Sequence, residues 1–302
     1  MLLMSKTNTA FVYQWWGDKQ PHLYFVPILT SIATLRGCNR RVPIYVLDYS
    51  GQDWSDWPKK LNFEAIHWTP KLSEYVNIPS DGSIVASRFW DVWEFAKQIK
   101  AETIAFCDAD VFWLRNPLPI KPSTGINMNG NAGYFYFNKL DVHAKRTMHL
   151  YRSISTLGFY HDKFREQMIS KQGWRIKQRM SVEITSTYMR RCRIGRFNHL
   201  KPKEHVVFSD LNKIPDPQMI HFWECGTYQF RARLALLFQE FYNLTAASLS
   251  QDDITLLMGK PFNFNRISLC DPRLLNNLED NNAVKAVKQF LPISDLFTPT
   301  RL

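Results

Sequence analysis

The sequence predicts an α/β fold built on a largely parallel sheet with helices packed on its faces. Over the first hundred residues, apolar runs of strand length alternate with longer helical patterns, which is how consecutive βαβ units read. The bulk properties agree: 302 residues, 45% hydrophobic and 22% charged, with no glycine-, serine- or glutamine-rich tract, can bury one large core.

Each element follows from its own pattern. Phe11-Val12-Tyr13-Gln14-Trp15-Trp16 reads as a first strand running into a loop at Gly17-Asp18. Leu23 to Leu35 reads as a helix stopped by Gly37, with Pro27 tolerable only near its first turns. Val42 to Asp48 is a buried second strand and Phe63 to Trp68 a third. From Ile84 to Ile99 the apolar residues recur at helical spacing, with Arg88 beside the stripe. Thr103 to Cys107 forms a short apolar strand that runs directly into Asp108. Pro117, Pro119 and Pro122 then punctuate a loop, and the turn-rich Asn127 to Asn131 precedes a strand at Gly133 to Phe137. Asp141 to Leu157 and Phe164 to Gln178 read as helices, and Gln218 to Trp223 as a further strand. Residues 231–302 read as a C-terminal helical and irregular annex packed on the main domain, 1–230.

Composition narrows the setting. Cys38, Cys107, Cys192, Cys225 and Cys270 contain no CxxC and form no even framework, so a reducing, cytoplasmic environment is expected. No stretch reaches the length of a membrane span, and the apolar patch at Met1 to Met4 is too short for a signal-peptide core. Of the net charge of +11, much comes from Lys163 to Lys203, where twelve Lys and Arg face only Glu166 and Glu183. That segment suits a solvated basic face, an anionic acceptor or peripheral contact with a membrane surface. A nucleic-acid role would rest on charge alone, because no zinc-finger spacing, RNP-like aromatic signature or heptad-bearing basic helix accompanies it.

The chemistry concentrates at Asp108-Ala109-Asp110. In an open α/β sheet, ligands bind beyond the carboxyl ends of the strands. Two carboxylates at such an end are hard oxygen ligands suited to magnesium or manganese. A divalent ion there would neutralise a diphosphate as it leaves a sugar. His221, at the end of another strand-like run, is a candidate third ligand. The same aspartates also resemble the nucleophile and acid/base pair of haloacid-dehalogenase-type phosphatases, with Asp252-Asp253 as a later acidic pair. That motif normally opens its domain, however, whereas here about a hundred residues come first, and Asn131-Ala132-Gly133 and His221 would be left without a part.

Four ordered stretches carry a stronger resemblance: Phe11 to Asp18, Ser87-Arg88-Phe89, the pair Asp108-Ala109-Asp110 with Asn131-Ala132-Gly133, and His221-Phe222-Trp223-Glu224-Cys225-Gly226. The chain resembles the GT-A (Rossmann-like) nucleotide-sugar glycosyltransferases, most closely the group around glycogenin and the bacterial galactosyltransferases of glycosyltransferase family 8. The resemblance implies manganese (or magnesium) at Asp108, Asp110 and His221, and a UDP-sugar as donor. It also implies donor contacts from Gln14, Trp15, Trp16, Asp48, Arg88, Asp108 and Arg231, with Arg88 on the sugar or diphosphate and Asn131 lining the sugar pocket. Because a strand buries alternate residues, core packing is an equal reading for either Trp15 or Trp16, and not both need face a ligand. The acceptor would be a glycan, a protein or a lipid-linked sugar.

Two departures bear on mechanism. The family follows its late histidine with glycine and then lysine at three-residue intervals; here Gly226 lies five residues on, no lysine follows, and Arg231 or Arg233 stands nearest. Where the family carries an acidic pair in its second half, this chain offers Glu183 alone. A lone glutamate suits a base that deprotonates the acceptor in an inverting reaction, while the family likeness implies retention, and the sequence leaves both open.

Overall fold

The structure is a computed structural model that describes residues 8–17, 25–51, 53–75, 80–121, 123–128, 132–171, 180–207 and 217–222. In chain order its elements are β1 (Thr9–Trp15), α1 (Phe25–Cys38), β2 (Ile44–Asp48), α2 (Trp57–Leu61), β3 (Glu64–His67), α3 (Ser80–Ala96), β4 (Thr103–Cys107), β5 (Val111–Trp113), β6 (Ile126–Met128), β7 (Tyr134–Asn138), α4 (Val142–Tyr160), α5 (Asp162–Ser170), α6 (Val182–Arg191), β8 (Phe197–His199), β9 (Val206–Val207) and β10 (Met219–His221). They fall into two compact units. One takes the described residues within Met1–Gly17, Pro43–Cys107 and Leu118–Leu200, and the other those within Asp18–Val42, Asp108–Pro117 and Lys201–Leu302. The expected annex at 231–302 lies outside the described residues. No helix among the described residues is long and apolar enough to cross a membrane.

The first unit is an α/β layer structure around a seven-stranded sheet ordered β3-β2-β1-β4-β7-β6-β8. Strands β3, β2, β1 and β4 run parallel, β7 and β6 pair antiparallel, and β8 returns parallel to β6. Every residue of β1 is buried, Gln14 and Trp15 included. Trp15 is buried with the rest of the strand, because a central parallel strand is covered on both faces, while Trp16, beyond its end, is exposed.

Helices α3, α4 and α6 supply the apolar stripes that cover this sheet. Phe89 of α3 meets Phe135 of β7 edge-on at 4.3 Å and Tyr151 of α4 at 4.9 Å, while Phe106 of β4 stacks on Phe135. Such aromatic pairs add about 0.5–1.5 kcal/mol each beyond the area they bury. Beyond the end of α3, the Lys139 ammonium donates to the carbonyls of Ala96 and Ile99, satisfying acceptors that a helix terminus leaves open.

Helix α4 begins at a designed cap. The Asp141 carboxylate accepts from the amide of Ala144 at 2.8 Å and from the amide of Gly125 at 2.8 Å, so one side chain starts a helix and holds the strand entering β6. Gly125 sits at φ +84° with the Arg196 main chain against the position a Cβ would need, which excludes larger residues there. Asp141→Ala is expected to cost about 1–2 kcal/mol, read as a lowered urea midpoint with an unchanged m-value.

The observed elements differ from the sequence expectation in places. The turn-rich reading of Asn127 to Asn131 gives way at its start, where Ile126–Met128 pairs with both β7 and β8. The long helix expected from Phe164 ends at Ser170, with 172–179 outside the described residues.

The second unit pairs α1 with a small sheet ordered β5-β10-β9. Strand β10 lies in the middle, antiparallel to β5 and parallel to β9. Thr34 of α1 bridges helix to sheet, its hydroxyl accepting from the Trp113 amide at 3.1 Å and donating to the Ser31 carbonyl at 2.9 Å. Arg36, in the last turn, donates to the carbonyls of Val42 at 2.6 Å and Arg40 at 3.3 Å. Phe112 and Trp113 of β5, Met219 and Ile220 of β10 and Phe222 just beyond it are fully buried here, so large apolar side chains anchor the sheet at its outer strand β5 and at its centre.

Candidate metal centre

Asp108 follows the last residue of β4, Ala109 and Asp110 form a turn, and β5 starts at Val111. The register of β10 on β5 sets His221 opposite Val111, and the Phe222 amide carries the pairing into the turn by donating to the Asp110 carbonyl at 2.9 Å. These main-chain bonds bring three ligating side chains together. His221 Nε2 lies 3.2 Å from Asp110 Oδ1 and 3.7 Å from Asp108 Oδ2. One ligand atom from each of the three lies within 4.8 Å of the others. Ligands sharing one small divalent ion sit about 3–4 Å apart, and both distances from His221 to the carboxylates fall in that range.

The donor set fits such an ion chemically as well. Two carboxylates and an imidazole suit manganese or magnesium better than a soft, thiolate-seeking metal. Burial is graded: the His221 side chain is 1% exposed, Asp110 10% and Asp108 20%, so the group has a rigid floor and opens toward solvent at Asp108.

One partner of this group carries no sequence signature. His205, which precedes β9, is buried and places Nε2 3.0 Å from Nδ1 of His221. Burial first, and then the neighbouring His221, push its pKa down to about 3, so this imidazole is neutral. The run Lys-Glu-His-Val-Val matches no motif, and only the pairing of β9 with β10 makes it a neighbour of His221.

In the first unit, Arg88 is buried in α3 and lies over the Phe106 ring at 4.9 Å. Its Nε donates to Gln14 Oε1 at 3.3 Å, and one NH group reaches the Ala132 carbonyl at 3.5 Å. Glu183, in the first turn of α6, places Oε1 4.0 Å from the Arg88 guanidinium. Gln14 in turn donates to the Tyr49 hydroxyl at 2.5 Å, and Tyr49 donates to Asp91 at 2.7 Å. A continuous hydrogen-bonded chain thus runs Arg88–Gln14–Tyr49–Asp91. Sequence reasoning singled out its first two members and missed the others, although Ser87, Arg88 and Asp91 share one helical neighbourhood.

The remaining predicted residues are placed individually. Trp15 packs edge-on against Trp54 at 5.6 Å, and Trp16 is partly exposed. Asp48 is buried, its Oδ1 accepting from the Ser50 amide and hydroxyl and the Gly51 amide and its Oδ2 from the Trp54 indole, so the carboxylate organises its own turn. Asn131 and Arg231 lie outside the described residues.

No family model matches this sequence, and no curated protein does. Solved structures similar to it include the glycosyltransferase GlyE of Streptococcus pneumoniae TIGR4, at 13% identity and a TM-score of 0.46 over 83% of this chain and 63% of GlyE. The galactosyltransferase LgtC, solved with donor and acceptor sugar analogues, aligns at 10% identity and a TM-score of 0.46 over 80% of this chain and 98% of LgtC. The mannosyltransferase PcManGT of Pyrobaculum calidifontis, solved with GDP-mannose and Mn2+, aligns at 10% identity and a TM-score of 0.35 over 97% of this chain and 79% of PcManGT. The chain spans about two thirds of the length of GlyE.

Proposed function

We propose that this protein is a metal-dependent glycosyltransferase that moves a sugar from a nucleotide diphosphate, UDP by the resemblance, to an acceptor hydroxyl. The observation that carries the reading is the convergence of Asp108, Asp110 and His221 immediately after strand β4. Bound there, manganese or magnesium would offset the charge that builds on the departing diphosphate.

The chain's own residues supply the rest. Asp108 and Asp110 bring carboxylates to a turn, and His221 adds an imidazole from strand β10, so the ligands are held before any donor arrives. Arg88 carries a permanent positive charge whose orientation is set by Gln14, the Ala132 carbonyl and the Phe106 face. We assign it to the donor's sugar or diphosphate oxygens. Glu183 presents a carboxylate 4.0 Å from that guanidinium, and we assign it to the reacting hydroxyls. Trp16, exposed beyond β1, offers a face on which a nucleobase can stack, and Asn131 is assigned to the sugar pocket by its place in the motif order. The basic residues from Lys163 to Lys203 support an anionic acceptor, in a reducing, cytoplasmic setting.

Thermal unfolding tests the reading. Manganese with UDP is expected to raise Tm by on the order of 5 °C at ligand concentrations far above Kd, since a ligand bound only by the native state stabilises it. Neither manganese nor UDP alone should reproduce the full rise. A salt-sensitive rise with an oligonucleotide and none with manganese plus any nucleotide diphosphate would instead assign the protein to nucleic-acid binding.

A further inference from the structure

We propose that His205 is a positioning residue for the metal centre, holding the His221 ring in the orientation and tautomer that turn Nε2 toward Asp108 and Asp110. The inference rests on the reading of those three residues as cation ligands, and it concerns a side chain that does not itself ligate.

The two nitrogens of His221 face different partners. Nε2 points at the carboxylates, 3.2 Å from Asp110 Oδ1 and 3.7 Å from Asp108 Oδ2, while Nδ1 meets His205 Nε2 at 3.0 Å. A histidine can ligate through Nε2 only if that nitrogen carries a lone pair, and its proton must then sit on Nδ1. In the buried environment of His221, an Nδ1–H without an acceptor would cost about 1–3 kcal/mol. His205 Nε2 is placed to be that acceptor.

An imidazole has an advantage over a carboxylate or carbonyl in this position. Without a cation, His221 Nε2–H can donate to Asp110, and Nδ1 must then accept; His205 can donate from Nε2 in that state and accept at Nε2 in the other by exchanging its own tautomer. The pair therefore stays hydrogen-bonded in both conditions without introducing a charge beside the ligands. The geometry holding it is rigid. His205 immediately precedes β9, whose parallel pairing with β10 sets Val206 beside Ile220 and Val207 beside His221. The ring centroids lie 5.0 Å apart at 59°, an inclined contact compatible with an in-plane hydrogen bond. Groups that hold the far nitrogen of a ligating histidine typically change metal affinity about 10- to 100-fold when removed.

The test measures Mn2+ binding by the loss of the free-ion EPR signal, with no substrate and no turnover, in wild type, Asp110→Asn, His205→Phe and His205→Gln. Phenylalanine keeps ring volume and removes the hydrogen bond, whereas the glutamine amide can either accept from or donate to Nδ1. The expected result is Mn2+ affinity about 10- to 100-fold weaker in His205→Phe and within about threefold of wild type in His205→Gln, with metal-free Tm lowered in His205→Phe, which loses the buried hydrogen bond, and near wild type in His205→Gln. Should His205→Phe not fold, the glutamine variant decides together with His205→Asn, whose shorter amide cannot span the same gap and should bind Mn2+ weakly. Wild-type affinity in a folded His205→Phe, alongside loss in Asp110→Asn, would overturn the role of His205 and leave the metal centre standing. Wild-type protein that binds no Mn2+, or binding that survives Asp110→Asn, would overturn the metal centre and His205 with it.

Discussion

Asp110→Asn is expected to abolish metal-dependent sugar transfer and donor hydrolysis, by at least about 10²–10³-fold, while the protein folds normally. The asymmetry follows from what the side chain does in each state. Its carboxylate lies 3.2 Å from His221 Nε2, a contact that asparagine can keep through its amide oxygen. The backbone bond from Phe222 to the Asp110 carbonyl does not involve the side chain and keeps the turn in register with β10. The substitution also removes one of two carboxylates sharing a small volume, so metal-free stability should be unchanged or slightly higher. What is lost is a negative ligand, and with it the stabilisation by manganese plus UDP. Released nucleotide, followed with manganese and a panel of nucleotide sugars, measures the first effect, and paired melting curves measure the second. Full activity in this variant would remove Asp110 from the site.

The largest effect on stability is expected at Asp91, which no functional assignment uses. It is fully buried, with Oδ1 accepting from the Lys71 amide at 2.7 Å and the Ser87 hydroxyl at 2.7 Å, and Oδ2 accepting from Tyr49 at 2.7 Å. Asp91→Ala leaves these donors without their buried acceptor, at a cost of about 3–5 kcal/mol, and frees Tyr49, through which Gln14 and Arg88 are steadied. Urea unfolding reads the loss directly.

The same carboxyl gives a pH dependence with a defined sign. Burial raises its pKa to about 7 against an ordinary value of 3.8, and the hydrogen bonds from Lys71, Ser87 and Tyr49 only partly oppose that rise. The folded state therefore holds this proton more tightly than the unfolded chain does. Its stabilising contribution is complete below the ordinary value and disappears as pH rises through about 7. Relative to Asp91→Asn, which cannot titrate, wild type should lose a few kcal/mol between pH 4 and pH 8. A difference between the two proteins that stays constant across this range would show that Asp91 remains charged throughout.

Much of the architecture was legible because it is written in short-range patterns. The runs ending at Trp16, Asp48 and Cys107 are apolar over strand length, and they became β1, β2 and β4 of the parallel core, with β1 ending one residue earlier at Trp15. The stripe through Phe89 and Trp93 became the buried side of α3. Less visible were the short strands β5, β6 and β9, whose two or three residues carry too little periodicity to separate strand from turn. Strand β1 itself shows no alternation, because alternation holds for a sheet with one wet face and every residue of β1 is buried.

The sequence by itself determined that a parallel α/β sheet would form, and that two aspartates would follow one of its apolar strands, since both depend on neighbouring residues and on the period of a strand or helix. Only the tertiary structure decided which distant side chains joined them. His221 is 111 positions from Asp110, and His205 lies 16 positions before His221 along the chain. Those approaches are set by the register of β10 between β5 and β9, and strand register is a property of paired segments and their packing that no single segment encodes.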